Sequence, residues 1–253
     1  MTKEESFWVE VLADADKLLQ LVKDSAPQGT FELPTAHVYI VGMFWRAVRL
    51  YDGVLVLLKA ELPEEAAILA RSLFEESLRL QQLASEPHNR DALILCWANR
   101  SIDEYRGLLE VGKACGHDTD ISAPLAALEE QRQHLQEYAR RHSVGRFQPF
   151  LSVKDAAFRF GRKDDYWTYE WAHESVHGTD AAWMFARRRP AEDTAGLHAK
   201  TNDPLLRSSL AQFGAISQFN AAEAASTIFG WVLPVTLKQA VDKIGRLLDS
   251  NTG

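Results

Sequence analysis

His173, Glu174 and His177 form the pattern H-E-x-x-H within the stretch YEWAHESVHG. On a helix the two imidazoles would lie one turn apart and could bind one zinc ion, with the carboxylate as general base on the bound water. A third ligand is needed, and the continuation G-x-x-H is absent because Gly178 directly follows His177. Three downstream residues could supply that ligand: Glu192, His198 and Glu223. The motif permits a zinc-dependent hydrolase without requiring one.

A di-iron site is a poorer match to the same residues. Its Glu-x-x-His unit would be Glu170 with His173, or Glu174 with His177. Such a site takes a second unit of this kind from another helix, and the sequence offers none. Zinc is therefore the metal that the pattern favours.

The helix expected around this motif has two different faces. Trp167 and Trp171 lie together on one face, which predicts an anchor against the core or against a partner. A solvated helix face would carry Lys and Glu, whereas the opposite face is rich in Tyr and His and is expected to line a groove. That second face consists of Tyr166, Tyr169, Glu170, His173 and His177.

A second polar group lies in the helix expected from Pro63 to Ser85. Arg71 and Glu75 are four residues apart, and periodicity alone favours an exposed ion pair worth a few tenths of a kcal/mol (about 0.2–0.5). Glu76 falls at the edge of the apolar face, where an unpaired carboxylate would be costly. We therefore expect Glu76 to have a partner.

Helix signals recur along the whole chain. Pro63, followed by acidic residues, begins a helix that ends before Pro87. Capping residues mark further starts at Asn89, Ser122 and Ser152. No convincing alternating strand pattern occurs. The sequence predicts one all-α domain over residues 1–253, a bundle of about eight helices without a sheet, with C-terminal helices at 203–249 kinked near Pro234.

The composition is that of a soluble cytoplasmic protein. The formal net charge is −7, the N-terminus is polar and acidic, and charged residues interrupt the most apolar segment, so no membrane span is expected. Cys96 and Cys115 lie too far apart on one helical stretch for a disulfide and are expected to be thiols. Residues 140–163 contain seven basic residues against Asp155, which could serve as an RNA footprint or as a solvated surface.

The stretches ILARSLFEESLRLQQLASEP and YEWAHESVHG resemble a large uncharacterised bacterial family of all-helical proteins, a domain of unknown function. Its members carry a helix of the form A-R-x-x-x-E and, later, one of the form Y-x-x-x-S-x-x-x-H, often followed by Gly. The resemblance covers about residues 30–190 and matches Arg71, Glu75, Tyr169, His177 and Gly178. It implies an Arg–Glu–His trio across two helices.

This chain departs from that pattern at His173, where relatives would carry Ser. If His177 is the shared residue, H-E-x-x-H arises here from one variable position, which weakens the zinc interpretation. A shared trio can also be a structural network that fixes helix register.

Three functions follow as hypotheses. A hydrolase, with or without zinc, would use His177 or Glu174 as general base and Arg71 to bind an anionic, for example phosphate-containing, substrate. A metal-independent ribonuclease of the toxin or defence type would use His177 as acid and base and residues 140–163 to bind RNA. A non-catalytic module would form a homodimer or bind a partner through Trp167 and Trp171.

Overall fold

The computed structural model describes residues 3–26, 35–115, 120–176 and 204–251. Within these ranges the chain forms nine α-helices and no strand, which confirms the predicted all-α class. No described helix is long and apolar enough to cross a membrane. The helices are α1 (Lys3–Ser25), α2 (Thr35–Lys59), α3 (Pro63–Ser85), α4 (Arg90–Ala114), α5 (Ser122–Arg141), α6 (Val153–Arg159), α7 (Lys163–Val176), α8 (Pro204–Phe229) and α9 (Val235–Asn251).

The helix α3 is central to the bundle. It packs along α8 and α2, and it also contacts the short α6 and α7. Its buried face combines the small residues Ala66, Ala67 and Ala70 with the larger Leu73 and Phe74. Small side chains let neighbouring helices approach closely, and each fully buried large side chain contributes about 1.5–3 kcal/mol. The position of α3 places its polar residues next to several other helices.

The C-terminal helices α8 and α9 also pack against α1. The sequence predicted a kink near Pro234, but the structure has a complete break between α8 and α9. Gly230 adopts a left-handed φ of +72°, which ends α8, and Pro234 cannot donate to a continuing helical ladder. The two helices are therefore separate elements.

The helices α4 and α5 form a hairpin with an apolar cluster of its own. Residues 142–152 then return across α4 and α3 before α6 begins. The backbone N–H of Gln148 donates to the carbonyl of Ala92 at 3.2 Å, and the N–H of Leu151 donates to Gln82 Oε1 at 3.0 Å. Gln82 is almost completely buried, so its hydrogen bond fixes this irregular segment to α3.

Local signals set the start of α6 and the turn into α7. Ser152 Oγ accepts the N–H of Asp155 at 3.1 Å and donates to the Asp155 carboxylate at 2.7 Å, as capping-box spacing predicts. At α5, by contrast, Ser122 is the first helical residue rather than the cap, and the Asp120 carboxylate accepts its N–H. Gly161, at φ +69°, turns the chain from α6 into α7.

Candidate functional site

Arg71, Glu75 and Tyr169 meet where α7 crosses α3. The hydroxyl of Tyr169 donates to Glu75 Oε1 at 3.0 Å, and Arg71 Nε lies 3.5 Å from the same oxygen. The Arg71 guanidinium carbon lies 5.0 Å from the centre of the Tyr169 ring, and Arg71 also hydrogen-bonds the Tyr169 hydroxyl. The three side chains thus form an interhelical network, which we call the Glu75 network.

Burial and charge keep Tyr169 protonated. The residue is 7% exposed, and burial is the main reason why its pKa is raised above the ordinary value for tyrosine. The hydrogen bond from Arg71 lowers the pKa and the Glu75 carboxylate raises it. At neutral pH the phenol is therefore a proton donor, and its partner is Glu75.

The Arg71–Glu75 pair is less exposed than periodicity alone suggested. The two side chains are 21% and 24% exposed, and Arg79 Nη2 lies 3.4 Å from the second oxygen of Glu75. Two hydrogen-bond donors, Tyr169 and Arg79, and the ion-pair partner Arg71 therefore surround one carboxylate. Such an arrangement restricts the Glu75 rotamer far more than an isolated surface pair would.

Glu76 has the partners that its apolar position requires. Its side chain is 1% exposed, and its two oxygens lie 3.2 Å from Arg46 Nη1 and 2.8 Å from Arg79 Nη1. Arg79 contacts Glu75 as well as Glu76, so it joins the buried pair to the Glu75 network. The ion pairs thereby connect α2 to the centre of α3.

A cavity of about 480 Å³ adjoins this network. It lies between α3 and α4, which contact each other only over a short stretch, and residues 149–153 form part of its wall. Its charged lining residues are Arg46, Glu75, Arg79, Arg100 and Glu104. The volume lies in the range of about 300–1,000 Å³ that is typical of small-molecule sites. Glu75 is thus both a wall of the cavity and the acceptor of the Tyr169 hydroxyl.

One stripe of α3 links the cavity to α7. Arg71, Glu75, Leu78 and Gln82 follow at helical intervals along the same side of α3. Glu75, Leu78 and Gln82 line the cavity, whereas Arg71 lies one turn before Glu75 and contacts Tyr169. Tyr169 therefore holds Glu75 from outside the cavity.

Tyr166 extends the tyrosine face of α7. Its ring stacks on that of Tyr169 at a centroid distance of 5.7 Å. A hydrogen bond with Glu170 is the largest of the effects that raise the pKa of Tyr166 to about 12. The three residues lie on the side of α7 that the sequence predicted to be polar.

The metal prediction lies mainly outside the described residues. His173 and Glu174 belong to α7, but their side chains are outside the described part, as are His177, Gly178, Glu192 and His198. Glu223 is exposed on α8. Among the described residues no group of three or more His, Cys, Asp or Glu side chains could hold a metal ion. The H-E-x-x-H site stays a prediction from the sequence.

Trp167, on the tryptophan face of α7, does not anchor this helix in the core. This side chain is 77% exposed, and that of Trp171 lies outside the described part. The core alternative is therefore wrong for Trp167. The contacts that hold α7 on α3 instead come from Tyr169 and from Ala172, which are both buried.

The basic stretch 140–163 is partly neutralised by ion pairs. Arg141 pairs with Glu137, and Arg159 lies 2.6 Å from Glu86. Arg162 is buried, pairs with Asp165 and lies 5.2 Å from the centre of the Phe74 ring. Three of the seven basic residues thus have intramolecular acidic partners, which reduces the positive charge available to RNA. Cys96 and Cys115 are free thiols, as expected, and Cys96 lines the cavity.

Sequence reasoning did not identify Arg46, Arg79 and Gln82 as parts of this site. Arg46 interrupts the most apolar segment of the chain, where a charged residue calls for a partner. Arg79 stands three residues after Glu76, a spacing that allows a helical ion pair. Gln82 carried no such signal, because its partner is the backbone of Leu151, 69 residues away.

The comparisons with known proteins identify a family and no relative of known activity. The model of DUF5677, described as a family of unknown function, matches residues 37–191. This match covers more than half of the chain, and it confirms the resemblance to an uncharacterised helical family. No curated protein and no solved structure matches the chain.

Proposed function

The chain belongs to the DUF5677 family, and because that family has no assigned function, we propose from the geometry of the site that the protein is a hydrolase of small anionic substrates. One observation carries the proposal: the Glu75 carboxylate forms part of a cavity wall and is held there by Tyr169 from another helix. A carboxylate fixed at the edge of a substrate-sized cavity can orient a water molecule for attack.

The charges around the cavity favour an anionic substrate. Arg46 and Arg79 line it and share Glu76, but the Arg46 side chain is half exposed, so its remaining N–H donors are accessible. Guanidinium groups bind phosphate and carboxylate through paired hydrogen bonds. We assign these two arginines the role of anion binding that the sequence alone gave to Arg71.

The remaining network residues would position Glu75. The Tyr169 hydroxyl donates to Oε1, Arg71 Nε lies 3.5 Å from the same oxygen as an ion-pair partner, and Arg79 donates to Oε2. Without the contact from Tyr169 on α7, or without those from Arg71 and Arg79 on α3, the Glu75 carboxylate could rotate away from the cavity. Tyr169 and Arg71 are therefore positioning residues in this proposal.

For a phosphate ester the reaction is simple hydrolysis. The water oxygen attacks phosphorus, the ester P–O bond breaks, and the proton released by water ends on the leaving oxygen. Glu75 would orient that water, and His177, which the sequence predicts to be an acid and base, would transfer the proton. In a zinc-dependent variant of the proposal, His173 and His177 would hold the ion and Glu174 would act on its bound water.

The proposal is tested by phosphate release from a panel of phosphomonoesters, with EDTA or with added zinc. Glu75→Gln keeps the size of the side chain but removes its charge, and we expect kcat to fall about 100-fold. Glu65→Gln, an exposed change on the same helix, is the matched control and should stay within about twofold. Hydrolysis by wild-type protein that Glu75→Gln leaves intact would contradict the assignment, as would the absence of any hydrolysis.

Metal analysis and RNA cleavage assays on the same purified protein distinguish a zinc-dependent hydrolase from a ribonuclease. Zinc dependence requires about one metal ion per chain, lost in both His173→Ala and His177→Ala. RNA cleavage in EDTA that His177→Ala abolishes and His173→Ser tolerates would instead establish a ribonuclease. That second result would replace the small-substrate proposal.

A further inference from the structure

The cavity beside Glu75 has two kinds of wall. Guanidinium groups of Arg46, Arg79 and Arg100 provide one kind, and the aromatic side chains of Trp97 and Phe150 provide the other. A ligand that satisfies both must combine an anionic group with a flat apolar ring. This combination restricts the chemical class more than size or charge does alone.

The anion-binding part of the cavity has a positive balance. Three arginines line the cavity, Arg46, Arg79 and Arg100. Two glutamates line it, Glu75 and Glu104. The set has one excess positive charge. The Arg100 side chain is 80% exposed and pairs only within α4, so it can turn towards a ligand at little cost.

The aromatic part is rigid. The Trp97 ring packs edge-on against Tyr39, with centroids 6.0 Å apart. Tyr39 is in turn fixed by a hydrogen bond from Gln131 Nε2 to its hydroxyl at 3.0 Å. An indole that is held in one orientation presents its apolar surface to a ligand ring without a large loss of side-chain entropy. Such a surface suits a nucleobase.

One side of the cavity is an irregular segment. Residues 149–153 line it, and Leu151 in their middle is bound to the buried Gln82. Ser72 and Ser101 also line the cavity, and the Ser72 hydroxyl, which donates to the carbonyl of Ile68 at 3.2 Å, can still accept a hydrogen bond from a sugar. A single nucleotide can therefore contact the arginines, the aromatic rings and the serines together.

We infer that the cavity binds a mononucleotide, with the phosphate on the arginines and the base on Trp97. The inference rests on the proposed function in that it names the substrate class of the same site. Arg100 and Trp97 are then the residues that determine specificity. Glu75 would face the phosphate, because it lies among the arginines.

The inference is tested by calorimetric titration of the full-length protein with AMP, adenosine and inorganic phosphate. AMP should bind more tightly than either fragment. Arg100→Ala should weaken AMP and phosphate about tenfold and leave adenosine unchanged. Trp97→Leu should weaken AMP and adenosine about fivefold or more, and Trp97→Phe should restore most of that loss.

The matched control is Arg141→Ala. Arg141 and Arg100 both form exposed ion pairs with a glutamate four residues away, but Arg141 is not part of the cavity. AMP affinity should stay unchanged in this variant, and the thermal unfolding midpoint of each variant verifies folding. No saturable AMP binding, or equal affinities in Trp97→Leu, Arg100→Ala and wild type, would overturn the inference.

The experiment separates this inference from the proposed function. AMP binding with the expected effects of Arg100→Ala and Trp97→Leu, but without hydrolysis of any ester, supports the nucleotide site and contradicts the hydrolase. Hydrolysis that depends on Glu75, together with equal affinity for AMP and free phosphate, supports the hydrolase and overturns the nucleotide assignment.

Discussion

The hydroxyl of Tyr169 donates a hydrogen bond to Glu75 Oε1 at 3.0 Å, and this contact joins α7 to α3 across 94 residues of sequence. A residue of α7, the helix that also contains His173 and Glu174, therefore holds the partly buried Glu75 carboxylate. The same carboxylate belongs to the wall of the cavity. The hydrogen bond therefore connects α7 to a residue that lines the cavity.

Tyr169→Phe should lower the free energy of unfolding by about 1–2 kcal/mol. The change removes the hydrogen bond to the charged acceptor Glu75 and the contact of the hydroxyl with Arg71, and it leaves the stacked ring in place. Combined with Glu75→Gln in a double-mutant cycle, the two changes should be coupled by about 1 kcal/mol in urea denaturation. Strictly additive effects would mean that the two residues do not interact in solution.

Glu76→Ala should destabilise the protein by about 3 kcal/mol. The side chain is 1% exposed and accepts hydrogen bonds from two arginines; Arg46 would lose this acceptor, and Arg79 would keep only Glu75. Glu104→Ala is the comparison, because Glu104 pairs with Arg100 at the surface and should cost less than about 0.5 kcal/mol. Similar losses in the two variants would show that Glu76 is solvated.

Stability should fall with rising pH in the range where Tyr166 titrates. Its pKa is raised to about 12 in the folded protein, mainly by Glu170, against about 10 in the unfolded chain. The folded state holds the proton more tightly, so this contribution is complete below about pH 10 and is lost as the pH approaches 12. Ultraviolet absorbance titration should show a late phenolate midpoint that disappears in Tyr166→Phe.

A partner variant tests the cause of that shift. Glu170→Gln removes the carboxylate that raises the pKa most, so the midpoint of Tyr166 should move towards that of an ordinary tyrosine. An unchanged midpoint in Glu170→Gln would refute the Glu170 carboxylate as the main cause.

Gly161→Ala should destabilise the fold by about 1 kcal/mol. Gly161 adopts φ +69°, a conformation that an L side chain rarely takes, in the turn that directs α7 onto α3. Gly145→Ala, at a position with an ordinary φ and open space around it, should change thermal stability much less. Equal effects of the two variants would indicate that the α6–α7 turn relaxes freely.

Local sequence signals predicted the elements well. Pro63 begins α3 and Ser152 with Asp155 caps α6 because these effects depend on residues within one helical turn. The cost of an unpaired buried charge correctly implied that Glu76 has partners. These parts of the fold follow from short-range chemistry.

The cavity could not be predicted in the same way. Its walls come from α2, α3, α4 and residues 149–153, which only tertiary packing brings together. The prediction that Trp167 anchors α7 against the core was wrong. A large apolar residue on a helix favours burial, yet this side chain is 77% exposed. The family resemblance pointed to Arg71, Glu75 and Tyr169 and implied an Arg–Glu–His trio, but the hydrogen bond between Tyr169 and Glu75 was not predicted.

The most direct test of whether Tyr169 positions Glu75 for catalysis is the steady-state kinetics of Tyr169→Phe with AMP as substrate. Tyr169 lies outside the cavity, so its hydroxyl should affect catalysis only through the position of Glu75. We predict that kcat falls at least about tenfold while KM stays within about twofold. An unchanged kcat in a folded Tyr169→Phe protein would contradict the claim that Tyr169 holds Glu75 for catalysis.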